Sequence, residues 1–196
     1  GNESLTRGDF AGAADAVYTA RPELSAVLVF VALSDQNARM DEYTFHTATA
    51  KGDAYGDFLV RELEPLVEKS YRVCSKASAR GLSGASLGGL ISTYLAFQRS
   101  DVWGFVGAQS SSYFWDNDWM ITRAGQEPKV AVRIYLDHGC PNDNCDENRL
   151  MTQQLTAKGY EQKHVEDPGA EHDWAYWRAR LPQLLTYFRD GRTDCD

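Results

Sequence analysis

A serine between glycines is the residue of this chain best suited to covalent chemistry. Ser86 is the centre of Gly84-Ala85-Ser86-Leu87-Gly88, which joins a short predicted strand to a predicted helix. Glycines two residues away on either side permit a sharp strand-to-helix turn that would hold the hydroxyl clear of the sheet. The amide of Leu87, at the start of the helix, is then placed to donate to an oxyanion. The pattern predicts a serine nucleophile with Leu87 in an oxyanion hole; the alternative is a helix start that only packs tightly.

A serine hydroxyl needs a base near neutral pH, and one histidine lies where that base is expected. After an elbow of this kind, the partners follow along the chain in the order serine, acid, histidine. The four histidines are His46, His138, His164 and His172. His46 precedes the serine, His138 follows a predicted strand at the place of the acid, and His164 lies inside the last predicted strand. His172 is in the loop between the last predicted strand and the last predicted helix, so we predict it to be the base.

The acid is expected in the loop that follows the predicted strand at residues 130–136. This loop offers Asp137, Asp143, Asp146 and Glu147. Asp137 is assigned to the end of the strand, whereas Asp146 and Glu147 suit the first turn of a helix, where carboxylates complement the dipole. We predict Asp143 to be the acid that fixes the imidazole tautomer, with Asp146 and Glu147 as alternatives.

Predicted strands and helices alternate along the chain. The apolar run from Ala26 to Leu33 is typical of a strand buried on both faces. The predicted strands cover residues 26–33, 79–84, 105–108, 130–136 and 162–166. The predicted helices cover residues 58–71, 86–98, 148–158 and 176–188, with Pro182 near the first turn of the last. This alternation predicts one α/β domain over residues 1–196, with a mostly parallel central sheet and helices on both faces.

The composition excludes several classes of protein. The chain has 196 residues, of which 43% are hydrophobic and 24% charged, as in globular domains. Its net charge of −8 disfavours binding to nucleic acid or to an anionic membrane surface. No apolar run reaches the roughly 18 residues that a membrane span needs. We therefore expect a small-molecule substrate, no nucleic-acid partner and no membrane span.

The cysteines bear on both metal binding and location. Cys140 and Cys145 bracket a short turn that a local disulfide could close, whereas Cys195, near the end, is expected to have no role. The fourth is Cys74. A metal site would need His138 with Cys140 and Cys145, a spacing that fits no common zinc pattern, so no metal is predicted. Cysteine use favours a secreted or periplasmic location; the alternative is the cytoplasm.

Several segments resemble those of one hydrolase family. They are Arg39-Met40-Asp41-Glu42-Tyr43, residues 58–66, the serine elbow, residues 109–115 and residues 172–178. Together they are similar to the esterase D-like group of α/β-hydrolases. That group includes feruloyl and acetyl-xylan esterases, S-formylglutathione hydrolases, mycolyltransferases and ferric-enterobactin esterases. The resemblance runs from about Ala26 to Phe188. It implies an α/β-hydrolase fold and ester hydrolysis without a cofactor, with Ser86 as nucleophile and His172 as base.

One departure from this family concerns the N-terminal strands. Members have about three strands before the one predicted at residues 26–33, and one of these lies between that strand and the elbow strand. The sequence lacks these strands, and a central gap would leave backbone groups of its neighbours unpaired. We therefore hypothesise that an N-terminal fragment or a partner chain completes the sheet and supplies a second oxyanion amide.

These observations predict a serine ester hydrolase that works through an acyl-enzyme. The alternatives are a catalytically silent hydrolase-fold binding protein and an acyltransferase with the same three side chains. Trp115 and Trp174 lie near the predicted site loops, where indole rings could stack on a substrate. The substrate classes left open are aromatic, sugar-linked and siderophore esters.

Overall fold

Four parallel strands form the sheet in this computed structural model, which describes residues 2–33, 35–190 and Cys195. The strands are β1 (Gly81–Ala85), β2 (Phe105–Gln109), β3 (Arg133–Cys140) and β4 (Gln162–Pro168). They lie side by side in chain order, each parallel to its neighbour. The predicted domain of residues 1–196 also includes residues 1, 34, 191–194 and 196, which lie outside the described part.

Helices precede and connect these strands. Before β1 lie α1 (Asn2–Thr6), α2 (Phe10–Ala20), α3 (Arg39–Glu42), α4 (Gly52–Phe58) and α5 (Glu64–Ser70). A π-helical turn at Leu59–Leu63 joins α4 to α5, and 3₁₀ turns lie at Pro22–Leu24, Gln36–Ala38 and Ala77–Ala79. The strands are then joined in turn by α6 (Leu87–Gln98), α7 (Trp115–Gln126) and α8 (Cys145–Ala157), and α9 (Trp174–Asp190) follows β4. Such crossovers are what parallel pairing requires.

The helices cover both faces of the sheet. Side chains alternate between the faces along each strand. In β2, Val106 packs in the apolar cluster that α6, α7 and α8 share, whereas Phe105 packs in the cluster of α2 and α9. Leu136 and Tyr135 of β3 divide between the two clusters in the same way. The prediction of a mostly parallel sheet with helices on both faces is confirmed.

The segment before β1 differs from the prediction. Residues 25–33 form no helix and pair with no strand of the described chain, and Val27 and Val29 are 45% and 47% exposed. A cleft of about 1460 Å³ separates this segment from β1, whose outer edge is open. The prediction of a strand at residues 26–33 buried on both faces is therefore wrong for the described chain, because a strand needs a neighbour to pair with.

Some predicted boundaries also shift, each for a local reason. The strand predicted at residues 130–136 runs on to Cys140, because the polar side chains of Asp137 and His138 are buried among partners. The last helix begins at Trp174, since Asp173 accepts a hydrogen bond from the backbone amide of Ala175. Pro182 consequently lies midway along α9, not near its first turn.

Both pairs of cysteines form disulfides. Cys140 bonds to Cys145, with Cα atoms 5.2 Å apart, as the short turn between them suggested. Cys74 bonds to Cys195, with Cα atoms 5.8 Å apart across a sequence separation of 121 residues. The expectation that Cys195 has no role is wrong, because the fold brings the chain end back beside the segment before β1. Among the described residues, no helix combines the length and apolar composition needed to cross a membrane.

Candidate active site

The turn between β1 and α6 holds Ser86 in an unusual backbone conformation. Its φ and ψ are 60° and −125°, a region that residues other than glycine rarely adopt. The Ser86 amide donates to the carbonyl of Gln109, and the Ser86 carbonyl accepts from the amides of Gly89 and Leu90 to start α6. Strain of this kind persists where the surroundings fix the backbone, and it is concentrated at functional sites.

Close packing explains two of the nearby glycines. A Cβ atom on Gly84 would lie 2.5 Å from the backbone carbon of Gly88, and one on Gly89 would lie 2.0 Å from the hydroxyl oxygen of Ser111. A Cβ atom on Gly88 would meet only a Tyr43 ring carbon, at 4.0 Å. Sequence reasoning expected glycines two residues on either side of Ser86. The close contacts instead require Gly84 and Gly89.

His172 and Asp143 meet at the carboxyl ends of the strands. The Nδ1 atom of His172 donates to Oδ1 of Asp143 across 2.7 Å. The Asp143 side chain is fully buried, whereas that of His172 is 34% exposed. A buried carboxylate bound to Nδ1 leaves Nε2 of the imidazole as the free, proton-accepting nitrogen. The two residues predicted as acid and base are therefore brought into contact.

The second oxygen of Asp143 is also hydrogen-bonded. Oδ2 accepts from the hydroxyl of Ser110 and from the backbone amide of Gly139, each at 2.6 Å. Burial by itself raises the pKa of Asp143. The hydrogen bonds from His172, Ser110 and Gly139 outweigh it and hold the pKa below its ordinary value. This carboxyl group is thus ionised near neutral pH, where it can offset a positive charge on the imidazole.

The hydroxyl of Ser86 has a different hydrogen-bond partner. Its Oγ lies 3.3 Å from Oγ of Ser112, and the structure records no hydrogen bond between Ser86 and His172. Both Ser86 and His172 line the cleft beside β1. The Leu87 amide is the first of α6, where backbone amides have no acceptor within the helix.

The alternative acids lie elsewhere. Asp146 is 88% exposed and pairs weakly with Arg149, and Glu147 is in the first turn of α8. Asp137 is buried in β3, where its Oδ1 accepts from Nε of Arg180 across 2.8 Å. Burial raises the pKa of Asp137 to about 6, against the opposing effect of Arg180. Of these four carboxylates, Asp143 is the one that contacts His172 in the described chain.

The remaining histidines lie outside this arrangement. His138 lies inside β3, not in the loop after it, and its Nε2 is 2.9 Å from Nε2 of His164 on β4. Burial lowers the pKa of His164. His46 lies on the surface, where its Nδ1 is 2.8 Å from a carboxylate oxygen of Asp116.

Four potential metal ligands of the described chain lie close together near the end of β3. The ligand atoms of His138, Cys140, Cys145 and Glu166 are all within 4.8 Å of one another. The disulfide between Cys140 and Cys145 engages both sulfur atoms, so neither is a thiolate that could bind a metal.

The two predicted substrate-binding tryptophans occupy different places. Trp174 lines the cleft and packs edge-on against Phe10 and Trp177. Trp115 is half-buried against the core and donates its indole N–H to the carbonyl of Phe45. It is not among the residues that line the cleft.

Sequence reasoning missed a buried polar network behind Asp143. Ser110 Oγ accepts from the indole N–H of Trp177 and from NH2 of Arg180, at 2.8 and 3.2 Å. Gln109 donates to Asp137, which joins the network through Arg180. The one sequence signal for this network was the serine-rich run after β2. Spacing along the chain does not predict that Ser110 contacts Trp177 and Arg180, about seventy residues later.

Known proteins resemble this chain over most of its length. The family described as "Putative esterase" matches residues 9–188. "Uncharacterized protein YbbA" of Bacillus subtilis (strain 168) is 33% identical over 182 residues, which cover 82% of this chain and 72% of that protein. A ferulic acid esterase structure superposes with a TM-score of 0.79 at 20% identity, covering 96% of this chain and 79% of that one.

A second structure carries the same fold in a longer chain. The enterobactin esterase of Shigella flexneri, in the presence of 2,3-di-hydroxy-N-benzoyl-glycine, superposes with a TM-score of 0.77 at 24% identity. The match covers 88% of this chain and 46% of the Shigella chain. With the family match over residues 9–188, the prediction of an α/β-hydrolase-fold esterase is confirmed, and the chain belongs to this esterase family.

Proposed function

We propose that the protein hydrolyses carboxylic esters through an acyl-enzyme formed on Ser86. The proposal rests on the hydrogen bond from His172 to buried Asp143, beside the cleft that the strained Ser86 also lines. Ser86 Oγ attacks the ester carbonyl while Nε2 of His172 takes its proton. Asp143 holds the tautomer and offsets the imidazolium charge, and the Leu87 amide donates to the oxyanion.

The same groups complete the cycle. His172 returns the proton to the leaving alcohol, and the acyl group stays on Ser86. Water then attacks the acyl-enzyme, His172 takes a proton from that water, and the acid leaves as Ser86 regains its proton. In this proposal, substrate binding turns the Ser86 hydroxyl from Ser112 toward His172, which lines the same cleft. Catalytic hydrogen bonds commonly tighten only in the substrate complex.

A substitution and a covalent probe test the nucleophile. Ser86→Ala should abolish turnover of p-nitrophenyl butyrate, and a fluorophosphonate should label Ser86 in the unchanged protein. Ser112→Ala is the matched control, because it removes a neighbouring hydroxyl and leaves the nucleophile. Labelling at another residue, or activity of Ser86→Ala near that of the unchanged protein, would refute the assignment and favour the silent binding protein.

Water access favours hydrolysis over acyl transfer. The side chain of His172 is 34% exposed, so water can reach the imidazole ring. An acyltransferase must keep water from the acyl-enzyme until the acceptor binds. Product analysis with an added alcohol checks this: free acid should dominate, and ester exchange as the main product would favour the transferase.

We propose an ester with an aromatic acyl group as the substrate. Trp174 lines the cleft, as do Tyr43 and Arg39, whose guanidinium lies over the Tyr43 ring. Such rings stack on a phenolic or catecholate group. One similar structure is named as a ferulic acid esterase. The other is an enterobactin esterase in the presence of a dihydroxybenzoyl compound. A panel of butyryl, feruloyl and catecholate esters should show the highest kcat/KM for an aromatic ester, and Trp174→Ala should remove that preference.

We further propose that an apolar strand from an N-terminal fragment or a partner chain fills the part of the cleft between β1 and residues 25–33, and leaves the part lined by Ser86, His172 and Trp174 to the substrate. On one side of the cleft, the edge of β1 pairs with no strand of the described chain. On the other side lie residues 25–33, of which Val27, Leu28 and Val29 are exposed. The strand would place a second amide near the Leu87 amide. The intact mass of the active protein tests this, because a single species of 21.9 kDa with full activity would refute it.

A secreted or periplasmic location is part of the proposal. Disulfides persist in oxidising compartments, and this chain forms two, Cys74–Cys195 and Cys140–Cys145. Fractionation of the source cells, followed by thiol labelling, should find the protein oxidised and outside the cytoplasm.

A further inference from the structure

The hydroxyl of Ser110 lies between the proposed catalytic acid and two buried donors. Ser110 is fully buried directly after β2, and its Oγ is 2.6 Å from Oδ2 of Asp143. On its other side, Nε1 of Trp177 and NH2 of Arg180 lie 2.8 and 3.2 Å away. Three polar groups therefore converge on a single hydroxyl.

The chemistry of these groups fixes where the hydroxyl proton points. An indole N–H and a guanidinium can only donate, so Ser110 Oγ accepts from both Trp177 and Arg180. A carboxylate can only accept, so the one proton of Ser110 is directed to Asp143. Donation by a positively charged group polarises this hydroxyl and strengthens its bond to the carboxylate.

We infer that Ser110 is a positioning residue, which holds Oδ2 of Asp143 so that Oδ1 faces His172. This inference rests on the proposed function, in which Asp143 and His172 act together. With Gly139 N–H as the second donor, Oδ2 of the carboxylate is held in place. Oδ1 then remains available to His172. Without Ser110, NH2 of Arg180, which is 3.7 Å from Oδ2, would compete for the carboxylate.

The backbone supports this assignment. Ser110 has a φ of 44°, a left-handed conformation that a serine adopts at some cost. Its amide donates to the carbonyl of Asp137, and its carbonyl accepts from the side chain of Asn144. The Trp177 ring also packs edge-on against His172, with ring centroids 4.9 Å apart. The donor behind Ser110 thus also contacts the imidazole that Asp143 orients.

Two variants that lack the hydroxyl separate positioning from backbone strain. Ser110→Ala keeps the strain of a left-handed residue, whereas Ser110→Gly relieves it. We expect kcat for an activated ester to fall by about tenfold to hundredfold in both, the usual effect of losing a hydrogen bond to a charged group, with KM nearly unchanged. Ser111→Ala is the matched control, because Ser111 is equally buried and its hydroxyl makes no hydrogen bond to Asp143 or His172 in the described part of the chain.

A spectroscopic measurement keeps the inference independent of turnover. The proton between His172 and Asp143 should give a downfield NMR resonance in the unchanged protein and in Ser111→Ala. Both Ser110 variants should lose or shift it while they still unfold cooperatively on heating. Ser110 variants with kcat and resonance like those of Ser111→Ala would overturn the inference. A resonance that depends on Ser110, in a protein whose Ser86 a fluorophosphonate does not label, would support positioning and refute hydrolysis.

Discussion

Asp143 uses its two carboxylate oxygens for different tasks. Oδ1 accepts only from His172 in the described contacts, while Oδ2 accepts from Ser110 and Gly139. One oxygen is thereby fixed by the fold and the other is available to the imidazole. Consequently, the geometry of His172 depends on a carboxylate that cannot easily rotate.

Replacing this carboxylate should remove most of the activity without unfolding the protein. Asp143→Asn keeps the shape but offers His172 an amide, which favours the wrong tautomer. We expect kcat to fall by about ten-thousandfold. Asp146→Asn is the control, because the Asp146 side chain is 88% exposed and its ion pair is with Arg149. If Asp146→Asn lost more activity than Asp143→Asn, the acid would be misassigned.

The same residue should make stability depend on pH. Since the pKa of Asp143 in the folded protein lies below its ordinary value of 3.8, its ionised form stabilises the fold. That contribution is complete well above pH 3.8 and is lost as pH falls through the folded pKa. The difference in unfolding free energy between the unchanged protein and Asp143→Asn, measured in urea, should therefore be largest near neutrality and narrow below pH 3.8. A constant difference would contradict this.

At the scale of elements, the elbow depends on which backbone atoms touch. We expect Gly84→Ala to destabilise the protein by about 1 to 3 kcal/mol, because its Cβ atom would press on the backbone of Gly88. Gly88→Ala should be neutral or stabilising, because it meets only Tyr43 at 4.0 Å and alanine favours a helix. Thermal unfolding of both variants checks this, and equal losses would show that the motif acts through something other than these contacts.

The two disulfides should differ in what they stabilise. Chain entropy gives about 5 kcal/mol for Cys74–Cys195, which closes a separation of 121 residues, and about 2 kcal/mol for Cys140–Cys145, with a separation of 5. The short one closes the loop that carries Asp143. Serine replacements at Cys74 and Cys195 should mainly lower the melting temperature, and those at Cys140 and Cys145 should mainly lower kcat. The opposite ranking would contradict this division.

At the scale of the molecule, the open cleft should promote self-association. Residues 25–33 expose apolar side chains beside the unpaired edge of β1, a template for pairing with other chains. Charge repulsion vanishes near the pI of about 5.0, so light scattering by the 196-residue chain should peak there. Val27→Ser with Val29→Ser should reduce it. Leu66→Ser is the control, since Leu66 is equally apolar, 60% exposed and does not line the cleft; an equal effect would contradict the idea.

Local features could be predicted from the sequence better than long-range contacts. The strand-to-helix turn at Ser86 and the position of His172 after the last strand were predictable, because glycine spacing and chain order are local signals. α7 was missed, since Asp116, Asn117 and Asp118 are polar and left-handed at its start. The partners of Ser110 and the disulfide of Cys195 depend on contacts that only the folded chain creates. Residues 26–33 have the composition of a strand, but pairing, which composition does not supply, decides whether a strand forms.

The chain order of the strands has a consequence for synthesis. Because β1, β2, β3 and β4 are neighbours in space as they are in sequence, each strand can add to the edge of the one before it as the polypeptide emerges. No earlier strand has to be displaced. Ser86 is made near the beginning of this growth, and His172 near its end. A ribosome-bound chain therefore forms the turn at Ser86 well before His172 can reach Asp143. Under the proposed mechanism, a nascent chain should cleave esters only after the segment that follows β4 has emerged.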